Sequence, residues 1–224
     1  DDGGGSVIIP GPYASSFAHQ DFASRVAVAR VRHDLGSSFV SFLATDREIA
    51  GGGSNLVLGP DFQWRPSEAD TLPGQVLYSH SETPNRPALA PEWDGSALAG
   101  AGADVWWSHS TRSFDLGLEV KAFGDGFRAD AGFVPQVGFR EGYAEVGYTW
   151  HLAGALTRVR VFALADPMWE SDGDRMRSLV AGGVDLRGRW DTMARVWVYA
   201  DRWRVTEPAT EPATFRDIPR NQLR

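Results

Sequence analysis

A chain of 224 residues with 25 Gly, 9 Trp and 12 Phe against 3 Met leans towards strands, tight turns and aromatic belts, and its length suits one large all-β domain. The 22 basic and 29 acidic residues leave a net charge of −7 with no Lys/Arg cluster, which argues against nucleic acid as a partner. The absence of cysteine excludes a disulfide framework and a thiolate metal site.

The opening stretch, DDGGGSVIIPGPYASS, has neither a basic n-region nor an apolar h-region, and residues 1–23 read as an N-terminal extension or loop. A mature chain and an excised piece would both look like this. Nowhere do about 18 apolar residues run together, so any crossing of a membrane is made by strands.

From residue 24 to 204 the dominant signal is period-two alternation in segments of roughly ten residues, the length of a tilted membrane-crossing strand. The first, 24–33, is untidy because Arg30 and Arg32 share a face with Val26 and Val28. The second covers 38–47. In 55–65, Leu56, Leu58, Pro60, Phe62 and Trp64 oppose Asn55, Asp61, Gln63 and Arg65. Weaker copies occupy 74–81 and 96–109. In 114–123, Phe114, Leu116, Leu118, Val120 and Ala122 oppose Asp115, Glu119 and Lys121. In 143–152, Ala144, Val146, Tyr148, Trp150 and Leu152 oppose Glu145, Thr149 and His151. The last three candidates are 157–165, 179–190 and 193–203. Turn chemistry separates them: Leu35-Gly36-Ser37, GGGS at 51–54, TPNRP at 83–87, SHSTRS at 108–113 and ESDGD at 170–174. Residues 205–224 read as a polar, Pro-containing loop or tail. The expected fold is all-β, an antiparallel up-and-down meander of about ten strands forming an outer-membrane-type β-barrel or part of one.

Alternation also fits a soluble sandwich, so the placement of charge is what discriminates. An Arg or Lys facing lipid at mid-membrane costs about 2–4 kcal/mol, so a spanning strand keeps its charges on one face. Asp61 with Arg65, Glu119 with Lys121, Arg158 with Arg160, and Asp185 with Arg187 and Arg189 each obey this. Trp64 and Trp150 lie on the apolar face near strand ends, where interfacial aromatic girdles belong.

Three stretches, RVRHDLGSSFVSFLATDRE at 30–48, NLVLGPDFQWR at 55–65 and FGDGFRADAGFVPQVGFREGYAEVGYTW at 123–150, resemble a bacterial outer-membrane β-barrel domain family of unknown function. Members of that family usually follow a family-9-like carbohydrate-binding module. The likeness covers roughly residues 24–152. Where the family commonly shows Asn-Pro-Glu before Gly-Phe-Val, this chain has Arg128, Ala129 and Asp130. The resemblance implies a barrel in the outer membrane of a Gram-negative-type bacterium, with membrane lipid as neighbour and, through the preceding module, an association with glycan. A finished barrel of this type resembles one whose last strand ends in an aromatic residue, whereas this chain closes on TEPATEPATFRDIPRNQLR. The expectation is therefore a wall segment whose open edges are completed by a missing barrel segment or another chain.

In the loop that carries the family motif, Asp125, Arg128, Asp130 and Arg140 are the candidate ligand-binding residues; the alternative is a charged loop held by ion pairs. Glu170, Asp172 and Asp174 are spaced like part of a calcium loop without its bidentate Glu, so a hairpin tip fits better. GAGAD at 100–104 lacks the Lys-Ser/Thr pair of a phosphate cradle and reads as small lumen-facing residues. The five histidines have no ligand spacing, and neither metal nor cofactor is expected. Trp106 and Trp107 must face opposite sides of their strand, so one of them could stack a sugar from the lumen. The leading expectation is a non-enzymatic outer-membrane barrel domain in glycan-related transport or an envelope complex. The rivals are a surface-displayed β-rich binding or scaffolding module and a carbohydrate-active enzyme using Glu119 and Glu145, which retaining chemistry would place about 5 Å apart.

Overall fold

The computed structural model describes residues 5–206 and 215–223, and among them there is no helix. The strands are β1 (Gly5–Ile9), β2 (Ser16–Gln20), β3 (Ser24–Leu35), β4 (Ser38–Ile49), β5 (Ser54–Trp64), β6 (Asp70–Glu82), β7 (Ala97–Ser110), β8 (Phe114–Phe123), β9 (Phe139–His151), β10 (Leu156–Glu170), β11 (Arg175–Gly188), β12 (Met193–Thr206) and β13 (Phe215–Leu223). β1 and β2 pair with each other. β3 to β13 follow one another in sequence order as an 11-stranded sheet. The registers of β3–β4, β4–β5, β10–β11, β11–β12 and β12–β13 are antiparallel, so the all-β, up-and-down meander holds. β3 and β13 stand at the two ends of that order, and among the described residues they are not paired with each other.

The local chemistry explains the hairpins. Leu35 pairs with Ser38 across a two-residue turn in which Gly36 has φ +65°, the first central position that such hairpin turns reserve for glycine. The expected extension at 1–23 contains β1 and β2, with Ile9 opposite Ser16. Within the expected tail at 205–224, residues 215–223 form β13, and residues 207–214 and 224 lie outside the described residues. Pro219 opposite Arg202 is compatible with a strand because a terminal strand can turn its missing donor away from the sheet.

The chain divides into two compact units. In the first (Asp1–Trp64, Pro73–Val105, Lys121–Arg140) two long connections replace the short turns expected of a meander. Residues 83–96 help to bury Phe22, Ile49, Ala90 and Trp93 beside Ala18 of β2. Residues 124–138 bury Phe127 and Val137 against Val57, with Leu77 and Phe123 packed around them. The second unit (Arg65–Leu72, Trp106–Val120, Glu141–Arg224) contains the regular ladder β10–β11–β12.

Candidate functional site

Register turns the alternation of single strands into two chemically distinct faces, because residues paired across an antiparallel ladder project to the same side. In the second unit the rows Val159–Leu186–Ala194, Val161–Val184–Val196, Ala163–Gly182–Val198 and Ala165–Val180–Ala200 run across three strands without a polar side chain. The opposite face carries Arg160–Asp185–Arg195, Asp166–Leu179–Asp201 and Met168–Arg177–Trp203. Burial is inverted relative to a water-soluble sheet: Val161, Val180, Val196 and Val198 are exposed, whereas Asp166 and Asp201 are buried. The first unit repeats this. Val31, Phe42 and Pro60 form one exposed row, while Ser41, Arg47 and Asn55 are buried on the other face.

The densest polar assembly lies on that inner face of the first unit. Arg47 of β4, 2% exposed, donates through Nε to Ser24 Oγ at 3.1 Å and through Nη1 to Asp130 Oδ2 at 3.0 Å, and also donates to Gln20. Asn55 of β5, 1% exposed, donates to Ser81 Oγ at 2.8 Å and to the Arg128 carbonyl at 3.0 Å, and accepts from the Asp130 amide at 3.0 Å. The Arg128 amide donates to Ser79 Oγ at 2.9 Å. The Arg128 guanidinium reaches Glu92 Oε1 at 2.8 Å and the carbonyls of Asp125 and Phe127, each at 2.7 Å. Buried polar groups persist when they are mutually satisfied, and a set this connected fixes where the 124–138 segment sits.

Of the four residues expected in that loop, the structure brings Arg128 and Asp130 into this one network. Asp125 contributes its carbonyl there, and Arg140 is an exposed residue of β9. Their partners Gln20, Arg47, Asn55, Ser79, Ser81 and Glu92 did not stand out in the sequence. Arg47 and Asn55 sit within quoted motif stretches, but only register shows that they are directly opposed. The one signal that pointed here was GAGAD: a Cβ on Gly100 would collide with the Phe127 backbone, and one on Gly102 would lie 2.6 Å from the Phe123 ring. The small residues make room for the loop.

The inner face of the second unit is an ion-pair ladder with aromatic rungs. Arg160 of β10 meets Asp115 (Nε to Oδ1, 3.0 Å), Glu145 (2.6 Å) and Asp185 (3.7 Å), which come from β8, β9 and β11. Arg177 joins Asp166 at 2.6 Å and Asp201 at 3.4 Å and lies over the Trp203 ring. Trp106 and Trp107 take separate roles. Trp106 stacks on Tyr143 with centroids 5.6 Å apart, and Trp107 donates to Asp70 at 3.2 Å. Glu145 accepts from Tyr143 as well as from Arg160, so half of the Glu119/Glu145 pair is engaged in an ion-pair network. In the 170–174 hairpin tip Asp174 pairs with Arg204 at 2.6 Å, and among the described residues no cluster of three or more side chains could hold a metal. No family model, no curated protein and no solved structure matches this chain.

Proposed function

We propose that this chain is a wall segment of an outer-membrane β-barrel, with the valine-rich face against lipid and the Arg–carboxylate face lining a polar lumen. The observation that carries the reading is the inverted burial. In water a two-sided sheet buries its apolar rows and solvates its charges, whereas here Val161, Val180, Val196 and Val198 of the apolar rows are exposed and Asp166, Arg47 and Asn55 are buried. Strands of 10 to 15 residues from β7 to β12 are long enough, when tilted, to span an apolar band about 25 Å tall. The ends of the strand order, β3 and β13, leave edges for a further barrel segment or another chain to complete. A glycan would meet the inner face, where Trp106, Tyr143 and the Arg160 network are found together; the lumen is a conduit or frame and not a catalytic centre.

Substitution of Val161 or Val198 by Arg separates this reading from a displayed soluble module. A lipid-facing site loses about 2–4 kcal/mol of stability and membrane assembly falls, whereas a water-facing site changes by about 0.5 kcal/mol or less. Heat-modifiable migration of the unaltered protein on a gel should accompany the loss. Detergent-independent solubility together with neutral Arg variants would sink the proposal.

A further inference from the structure

On the polar face of the second unit two like charges face each other without a counter-ion. Arg158 of β10 stands directly opposite Arg187 of β11, which sets their Cβ atoms about 5 Å apart on one side of the sheet. Like charges in that position destabilise the pair of strands. Arg158 is half-buried and Arg187 exposed, and among the described residues neither guanidinium has an ion pair, a hydrogen bond or an aromatic ring beneath it. The next row offers a carboxylate, but it is taken: Asp185 accepts from Arg195 Nη2 at 2.8 Å and faces Arg160 at 3.7 Å. Asp115 and Glu145 are engaged by Arg160 in turn. The acids of this face gather around Arg160, and the charge of Arg158 and Arg187 is left over.

An open groove of about 460 Å³ lies against that surplus, lined by Arg158, Arg187 and Arg195 together with Asp185 and Met193. Three guanidiniums against one carboxylate make it net positive, close to the short β11–β12 hairpin. Each guanidinium is a rigid fork of N–H donors that matches the oxygens of a carboxylate or a phosphate. Charge separates the two ligands. A carboxylate brings one negative charge, whereas a phosphomonoester brings about 1.5 to 2 at neutral pH and three acceptor oxygens, enough for two unpaired forks converging from neighbouring strands.

We propose that Arg158 and Arg187 form an oxyanion site for the phosphomonoester group of a small solute, with Arg195 at its rim. Binding rests on these side chains alone; that the solute is on its way through a lumen rests on the wall reading above. The two arginines are held together by the sheet register and not in the unfolded chain, so occupation of the site also stabilises the fold.

The test titrates the full-length protein in detergent with inorganic phosphate, by calorimetry at neutral pH, with ionic strength held constant by sodium chloride. Saturable binding is expected, weakened about tenfold or more by Arg158→Gln and by Arg187→Gln, since each removes a charged hydrogen-bonding fork. Arg175→Gln, which removes an exposed arginine at the first position of β11, should bind as the parent does. Dimethyl phosphate, with the single charge of a lipid-headgroup diester, should bind more weakly than phosphate. Without phosphate, the urea midpoint of Arg187→Gln should equal or exceed the parent's, because a repulsion is removed and no partner is stranded. Phosphate should raise the parent's midpoint and leave that of the double variant Arg158→Gln/Arg187→Gln unchanged. The site is overturned by a parent that binds no phosphate, by an equal loss in Arg175→Gln, by dimethyl phosphate binding as tightly as phosphate, or by a phosphate-free midpoint that falls in Arg187→Gln. None of these readings uses a bilayer, so failure of the wall reading is scored separately by the Val161 and Val198 variants.

Discussion

Arg160 shows how single residues hold this sheet. It sits on β10 and reaches carboxylates on the strand before it, the strand after it and one strand further, with 16% of its side chain exposed. Fully exposed ion pairs contribute about 1 kcal/mol at most, but removing one partner of a largely buried set leaves uncompensated charges that cost more. Arg160→Met leaves Asp115, Glu145 and Asp185 facing one another, and should lower stability by about 2–4 kcal/mol in a urea unfolding curve. Arg160→Lys keeps the charge but loses the fork that engages Asp115 and Glu145, and should fall between the two. An Arg160→Met midpoint matching the parent would show that the ladder carries no net stability. The sequence places Arg160 on a polar face through its alternation with Val159 and Val161. Its three partners were not legible, since they depend on registers among strands up to 45 residues apart.

At the scale of elements, the turns are as informative as the strands. In the β11–β12 hairpin Trp190 and Asp191 have φ +58° and +56°, the left-handed conformation at both central positions. Turns of this form favour Asn-Gly, and an L-residue held there costs about 1–2 kcal/mol. Trp190 is 93% exposed, so packing does not explain its presence; under the proposed wall reading it would be an aromatic anchor at a membrane interface. Replacing Trp190-Asp191 by Asn-Gly should therefore raise the unfolding free energy by about 1–2 kcal/mol in detergent while weakening association with vesicles. If vesicle binding is unchanged by the swap, the anchor role is wrong. The strands themselves were legible because their pattern is local: each apolar face named for 55–65, 114–123 and 143–152 lies on one side of an observed strand, except Leu152, which falls just beyond β9. The seat of 124–138 was not, because it is built from polar residues of β2 to β6 that look like ordinary lumen positions until the backbone brings them together.

At the scale of the whole molecule the decisive feature is the unclosed strand order. Among the described residues β3 is paired on one side, by β4, and every residue from Arg25 to Leu35 is exposed. In an antiparallel pair the backbone groups of alternate residues point away from the partner, so about half of the β3 amides have no ladder to join until another strand arrives. Inside a bilayer such groups cost several kcal/mol each, which makes a bare edge incompatible with a stable wall. Hydrogen exchange on this chain alone should therefore show a two-residue periodicity along β3: amides directed at β4 protected, and the intervening ones exchanging nearly as fast as free peptide. Under the proposed wall reading, both sets should be protected once a further segment or a second chain pairs with this edge, and the outward set should then lose its fast exchange. Uniform protection of β3 in the isolated monomer would mean that the chain satisfies its own edge. It would then be read as a self-contained domain, and the search for a completing segment would end there.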